Sequence, residues 1–132
     1  MIAVQWDKKF ELGHERIDFE HRIFLNLIRS VSEEADKGSN DSDKLKRLLK
    51  EIRKYAEFHF ISEENIMIDH AYVDYELHQR EHTALLSHMD DKIHDFHAGN
   101  INIEQVVEFL FMWFALHTTH EDKKLAGFLA QA

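Results

Sequence analysis

Histidine and glutamate occur in pairs that lie one helical turn apart in this chain. His59 and Glu63, in the stretch HFISEE, are separated by four positions, and His78 and His82, in the stretch HQREH, repeat that spacing further along. Side chains at positions i and i+4 of a helix lie one above the other, so each pair offers two donors to the same point in space. Because imidazole and carboxylate groups bind metals, the two pairs could share a metal centre.

The composition predicts that helices position these pairs. The chain has 132 residues, no proline and only four glycines, which leaves few of the residues that interrupt helices or form the turns of β proteins. We therefore predict one all-α domain over residues 1–132, folded as an up-down-up-down antiparallel four-helix bundle with an extended N-terminal arm. The predicted arm covers residues 1–16, and the predicted helices cover residues 18–37, 42–69, 74–97 and 102–129.

Apolar stripes at helical spacing and local capping residues set these boundaries. The predicted starts are Asp18, then Asp41 or Ser42, then Asp74 and Asn102, and the predicted stops are Gly38, within the loop of residues 38–43, and Gly99. In the arm, Trp6 and Phe10 are expected to pack onto the helices.

Charge and hydropathy exclude several classes of protein. The formal net charge is −9 and no stripe of lysine and arginine is present, so a nucleic-acid surface is not expected. The most apolar run, Val106 to His117, contains Glu108 and is shorter than the roughly 20 residues that cross a bilayer, so we predict a buried helix and no membrane association. The N-terminus lacks a secretory pattern and cysteine is absent, which makes the cytoplasm the expected location.

The predicted helices direct several metal-binding side chains into one interior. One inward histidine is usually a core residue, but a whole set of unsatisfied polar groups would cost about 1–3 kcal/mol for each group. Five imidazoles and two carboxylates are too many for one tetrahedral zinc, and they suit two carboxylate-bridged ions of iron, zinc or copper. Six further histidines are expected to be solvated: His14, His70, His88, His94, His97 and His120.

Four stretches together resemble the bacterial hemerythrins, non-haem diiron proteins that bind dioxygen. They are DFEH at residues 18–21, HFISEE, HQREH and WFALHTTHED at residues 113–122, and the likeness covers essentially the whole chain. The resemblance implies two oxo- or hydroxo-bridged irons. One would be held by His78, His82 and His117, the other by His21 and His59, with Glu63 and Asp122 bridging both. The first iron would then be six-coordinate and the second five-coordinate, so dioxygen would bind reversibly at the open position on the second.

Four residues near the implied ligands are candidates for the wall of an oxygen pocket: Phe24, Trp113, Phe114 and Thr118. For any single aromatic residue, core packing is the competing interpretation. Thr118 departs from the hemerythrins, which commonly have an aliphatic residue directly after this histidine. Its hydroxyl could hydrogen-bond bound dioxygen species, or it could ease the entry of water and so speed autoxidation.

The spacing between His117 and Asp122 conflicts with a regular helix. Five residues correspond to about 140° around an ideal helix, whereas Glu121, four residues after His117, would share its face. The resemblance favours Asp122, so we predict a wide, π-like turn or a helix break between His117 and Asp122.

The resemblance leaves two roles open, a free-standing oxygen carrier or store and an oxygen-sensing domain with a signalling partner or fused module. Neither role is enzymatic. A diiron enzyme that acts on peroxide or nitric oxide is the alternative function, and Thr118 gives it some weight. A zinc-filled structural bundle is a third hypothesis, which the number of ligands disfavours.

Overall fold

A computed structural model describes residues 3–37 and 42–131 as an assembly of helices without strands in those ranges. The helices are α1 (Glu15–Asp36), α2 (Ser42–Asp69), α3 (Tyr75–His97), α4 (Ile103–His117) and α5 (Lys123–Ala130). A π-helical segment, Thr118–Asp122, joins α4 to α5, and a short 3-10 helix, Lys8–Phe10, lies in the arm. Gly38, the predicted stop of the first helix, and Asp41, one of the two predicted starts of the second, lie outside the described residues.

The four long helices pack in a ring in which α1 contacts both α2 and α4, and α3 contacts both α2 and α4. Short connections between successive helices make the neighbours antiparallel. The predicted all-α four-helix bundle is therefore confirmed. In the described part of the chain, no helix is long and apolar enough to cross a membrane.

The start of α1 differs from the prediction. His14, not Asp18, is the N-cap, and its Nδ1 accepts a hydrogen bond from the backbone N–H of Ile17 at 3.2 Å. The carboxylate of Asp18 instead accepts hydrogen bonds from the backbone N–H groups of Leu12 (2.9 Å) and Gly13 (3.0 Å). Gly13 has a φ of +87°, a left-handed conformation that turns the arm back over the first turn of the helix. The two later starts agree with prediction, since Asp74 and Asn102 are the N-caps of α3 and α4.

The sequence predicts a buried helix here, but only one face of α4 is buried. Met112 and Leu116 are each 56% exposed, because α4 is one of four helices around a common core and its outer face lies in solvent. Its inner face contributes Val106, Leu110 and Phe114 to the core.

Two apolar clusters lie at different levels of the bundle. The larger contains Phe10, Phe24 and Phe60 among many aliphatic residues, and the smaller contains Ile17, Ile66 and Leu125. Along α1 and α2 the side chains between these two levels are polar and yet buried, as the sequence order Ile17, His21, Phe24 illustrates. The arm closes the larger cluster through Phe10, which is almost wholly buried, and partly buried Trp6.

Candidate metal centre

Seven polar side chains from all four walls of the bundle converge between the two apolar clusters. Each is at most 3% exposed, and their ligand atoms form two overlapping groups in which all atoms lie within 4.8 Å of one another. Glu63 and Asp122 belong to both groups. The seven are the residues that the sequence analysis singled out: His21, His59, Glu63, His78, His82, His117 and Asp122.

Three imidazoles form one half of this centre. The Nε2 atom of His117 lies 3.2 Å from that of His78 and 3.3 Å from that of His82. The Oε1 atom of Glu63 is 2.7 Å from His78 Nε2 and 3.2 Å from His82 Nε2. Asp122 Oδ1 completes the half, 3.0 Å from His78 Nε2 and 3.1 Å from His117 Nε2.

Two imidazoles form the other half. His21 Nε2 lies 3.0 Å from Asp122 Oδ2 and 3.9 Å from Glu63 Oε2, and His59 Nε2 lies 3.5 Å from the same Glu63 oxygen. Each carboxylate thus directs one oxygen to each half. The halves differ by one imidazole, so the centre is asymmetric.

The buried carboxylates are left without adequate hydrogen bonds. Both oxygens of Glu63 and the Oδ2 atom of Asp122 have no hydrogen-bond partner among the described residues. Imidazole nitrogens lie close to these oxygens: His78 Nε2 is 2.7 Å from Glu63 Oε1, and His21 Nε2 is 3.0 Å from Asp122 Oδ2. Carboxylate oxygens that are buried without hydrogen-bond donors carry a free-energy cost in an apolar interior. Such a donor set fits cations, which these oxygen and nitrogen lone pairs could share.

Three further carboxylates contact the Nδ1 atoms of three of the imidazoles, on the side of each ring that faces away from the centre. Glu20 Oε1 is 2.7 Å from His59 Nδ1, Glu64 Oε2 is 2.8 Å from His82 Nδ1, and Glu81 Oε1 is 2.5 Å from His117 Nδ1. A hydrogen bond at Nδ1 fixes the tautomer and directs Nε2 inward, as is usual for metal-binding histidines. The Nδ1 atoms of His21 and His78 have no hydrogen-bond partner among the described residues.

The sequence analysis missed these three glutamates. A signal was present, because each is the direct neighbour of a predicted ligand: Glu20 precedes His21, Glu64 follows Glu63, and Glu81 precedes His82. Adjacent residues of a helix point about 100° apart. Each glutamate therefore points toward a neighbouring helix, where it meets a histidine of another element.

The electrostatics favour protonated imidazoles when no cation is bound. Burial alone would lower the pKa of His78, but Asp122 and Glu63 outweigh it and raise that pKa to about 9. Burial likewise opposes the charge on His117, yet Asp122, with help from Glu81 and Glu63, raises its pKa to about 10. In turn, burial would raise the pKa of Asp122, but the imidazoles of His117, His21 and His78 hold it well below its usual range.

The π-helical segment delivers Asp122 to the centre and confirms the predicted wide turn. Asp122 is almost fully buried beside His117, whereas Glu121 is only partly buried and belongs to neither ligand group. A π-helix has more residues per turn than an α-helix, so residues five apart come onto one face.

The candidates for the pocket wall lie around both halves of the centre. Phe114 makes an edge contact with His21, with ring centroids 5.6 Å apart, and Phe24 stacks on Phe114 at 6.0 Å. Trp113 stacks on His117 at 4.8 Å. Thr118 is buried at the first position of the π-helical segment. Phe114 is thus on the two-histidine side and Trp113 is on the three-histidine side, and Phe24 contacts both of these rings.

The six other histidines stay out of the centre. His14 is partly buried in its capping role, and the remaining five are exposed, as predicted: His70, His88, His94, His97 and His120.

Comparisons with known proteins agree with this geometry. The family model described as the hemerythrin HHE cation binding domain matches residues 12–129. A bacteriohemerythrin of Clostridium acetobutylicum is 27% identical over 127 residues, which cover 90% of this chain and 95% of the relative. A bacteriohemerythrin of Methylococcus capsulatus is 27% identical over 107 residues, 80% of each chain. A myohemerythrin of Theromyzon tessulatum is 32% identical over 79 residues, 60% of this chain and 59% of the relative.

Solved structures support the same fold. A crystal structure of wild-type hemerythrin matches with a TM-score of 0.84 and 23% identity, covering 96% of this chain and 97% of the other. The fold and the buried cluster define a helical-bundle protein with a site suited to two irons. The chain belongs to the hemerythrin family, whose function is oxygen binding.

Proposed function

We propose that the seven converging side chains hold two iron ions and that dioxygen binds reversibly beside them. His78, His82 and His117 would hold one ion, His21 and His59 the other, and Glu63 and Asp122 would be shared. The observation that carries this proposal is the placement of the two carboxylates, each of which directs one oxygen to each half of the centre. Carboxylates placed in this way suit a pair of ions better than a single one.

The asymmetry of the centre suggests where dioxygen binds. The ion held by His21 and His59 would have one imidazole fewer than its neighbour, and we place dioxygen on that side. The irons would supply the electrons that dioxygen takes up on binding. The protein supplies the surroundings, since Phe114 packs against His21, Phe24 packs against Phe114, and this apolar surface limits the access of water.

Within this function, a carrier or store and a sensor remain the two proposed roles, and neither makes the chain an enzyme. A diiron enzyme acting on peroxide or nitric oxide is the second candidate. The observation in its favour is Thr118, a hydroxyl-bearing residue buried next to His117, where the hemerythrins commonly have an aliphatic side chain. Turnover of peroxide or nitric oxide by the iron-loaded protein under air-free conditions would favour the enzyme.

Optical spectroscopy tests the proposal. The protein is loaded with iron without air, reduced, and examined before and after exposure to air and again after removal of oxygen. We expect two irons per chain and a visible absorption band that appears in air and disappears on deoxygenation. His117→Ala should abolish the band, whereas the exposed His120→Ala should retain it. Zinc-loaded protein should stay colourless, and an iron-loaded protein that gives no reversible band would refute the proposal.

A further inference from the structure

The two-histidine half of the centre depends on one residue that is not itself a ligand. On the basis of the proposed diiron centre, we infer that Glu20 is the positioning residue for the metal ion held by His21 and His59, and that its carboxylate sets the affinity of that ion.

The carboxylate of Glu20 is buried, and both of its oxygens contact neighbouring side chains. Its side chain is only 8% exposed, and its Oε1 atom lies 2.7 Å from His59 Nδ1. The other oxygen accepts a hydrogen bond from the Ser62 hydroxyl at 2.8 Å and one from Arg16 Nε at 3.3 Å. Both carboxylate oxygens of Glu20 are therefore held by neighbouring side chains, and the contact to His59 fixes the orientation of that ring.

The main chain of Glu20 is tied to the same helix. The hydroxyl of Tyr55 donates a hydrogen bond to the Glu20 carbonyl oxygen at 2.9 Å. Three contacts thus run from one residue of α1 to α2, at Tyr55, His59 and Ser62. Because His21 is the next residue of α1, Glu20 fixes the two imidazoles of this half relative to each other.

The three-histidine half does not rely on a single residue in this way. Glu64 and Glu81 support different histidines there, and their side chains are 19% and 41% exposed. Phe60 stacks on the His82 ring at 4.1 Å, and Trp113 stacks on the His117 ring at 4.8 Å. Support in this half is therefore divided among several groups.

The two-histidine half has less support. His21 has no hydrogen-bond partner at Nδ1 among the described residues, and its orientation depends on packing against Phe114 and on the main chain of α1. Within residues 3–37 and 42–131, Glu20 is the only carboxylate that contacts an Nδ1 atom in this half. Loss of its charge should therefore weaken one ion selectively.

Binding of Co²⁺ to the metal-free protein tests this inference, since cobalt has visible bands that report coordination. The wild type should bind two ions in two steps, the first at the half with three imidazoles. Glu20→Gln keeps the size of the side chain and removes its charge. We expect it to leave the first step within threefold of the wild type and to weaken the second by about 10- to 100-fold, the usual effect of removing an outer partner. The matched control, Glu64→Gln, should weaken the first step instead.

The outcomes separate this inference from the proposed centre. If the wild type binds fewer than two ions, the proposed centre itself is wrong. If the wild type binds two and Glu20→Gln binds both as tightly, the positioning role is wrong. Equal weakening of both steps, together with a lower melting temperature of the metal-free variant, would show a general structural role and would also overturn the inference.

Discussion

Loading the centre with a divalent metal should release about two protons from each chain at pH 8. The protons come from His78 and His117, whose pKa values of about 9 and about 10 keep both imidazoles protonated at that pH. A metal binds only the neutral ring, so it must displace both protons. A histidine with the usual pKa of about 6.5 is already neutral at pH 8 and would contribute almost nothing.

The pH dependence of the metal affinity follows from the same two pKa values. Metal competes with protons, so the apparent affinity should fall as the pH falls below about 9. With two protons displaced together, the fall approaches roughly 100-fold for each pH unit. Above about pH 10 the two imidazoles are neutral without metal, and the dependence that they cause should disappear.

Calorimetry measures this release directly. Metal-free protein is titrated with Co²⁺ at pH 8 in two buffers of different ionisation enthalpy, and the difference in heat gives the number of protons. His120→Ala is the matched control, since this exposed imidazole should not affect the number. Release of fewer than one proton per loaded chain would refute the argument that Asp122 and Glu63 hold charged imidazoles in the metal-free centre.

Three other outcomes are expected. Asp122→Asn should lose at least one of the two metal ions by elemental analysis, whereas Glu121→Gln should keep both; the reverse pattern would contradict the role of the π-helical segment. Thr118→Ile, with the isosteric Thr118→Val beside it, should slow autoxidation of the oxygenated protein roughly 2- to 10-fold, the worth of one hydrogen bond, and an unchanged rate would remove the role of the hydroxyl. The metal-free protein should be more stable at pH 7 than at pH 10 in urea unfolding. His78 and His117 have higher pKa values in the folded protein than in the unfolded chain, so their protonation stabilises the folded protein. This stabilisation is complete below the unfolded pKa of about 6.5 and is lost as the pH rises through about 9 to 10. His78 alone accounts for about 2–3 kcal/mol of the difference between pH 7 and pH 10, and equal stability at the two pH values would contradict it.

Composition and local spacing were sufficient to predict the helical bundle and to select six of the seven side chains that meet in the interior, all except Asp122. The pair His59 and Glu63 and the pair His78 and His82 each follow the period of a helix, so their convergence required only that the helices face inward. The π-helical segment was predicted only with the help of the resemblance to the hemerythrins. Spacing alone would have selected Glu121, four residues after His117, whereas the resemblance favoured Asp122 and so required a wide turn.

Features that depend on contacts between elements were not predicted. The N-cap of α1 was assigned to Asp18 by residue preference, but the turn at Gly13 carries the arm back so that Asp18 binds the arm and His14 caps the helix. The glutamates behind the imidazoles were missed for a similar reason. Glu20, for example, is paired with a histidine 39 residues away, and no local period marks such a pair.

Charge balance connects the raised histidine pKa values to the outer glutamates. Five carboxylates surround the five imidazoles, namely Glu20, Glu63, Glu64, Glu81 and Asp122. Such a concentration of negative charge inside a bundle would be unfavourable without cations. In the metal-free protein, protonated His78 and His117 offset part of it.

Two divalent ions would supply four positive charges and come close to neutralising the five carboxylates, with the half-exposed Glu81 screened by water. The centre is therefore most nearly neutral when it holds two ions. With one ion, part of the carboxylate charge would have to be met by protons that remain on the imidazoles. Metal occupancy and imidazole protonation are alternative ways of satisfying the same buried anions, so a substitution that removes one carboxylate should change both.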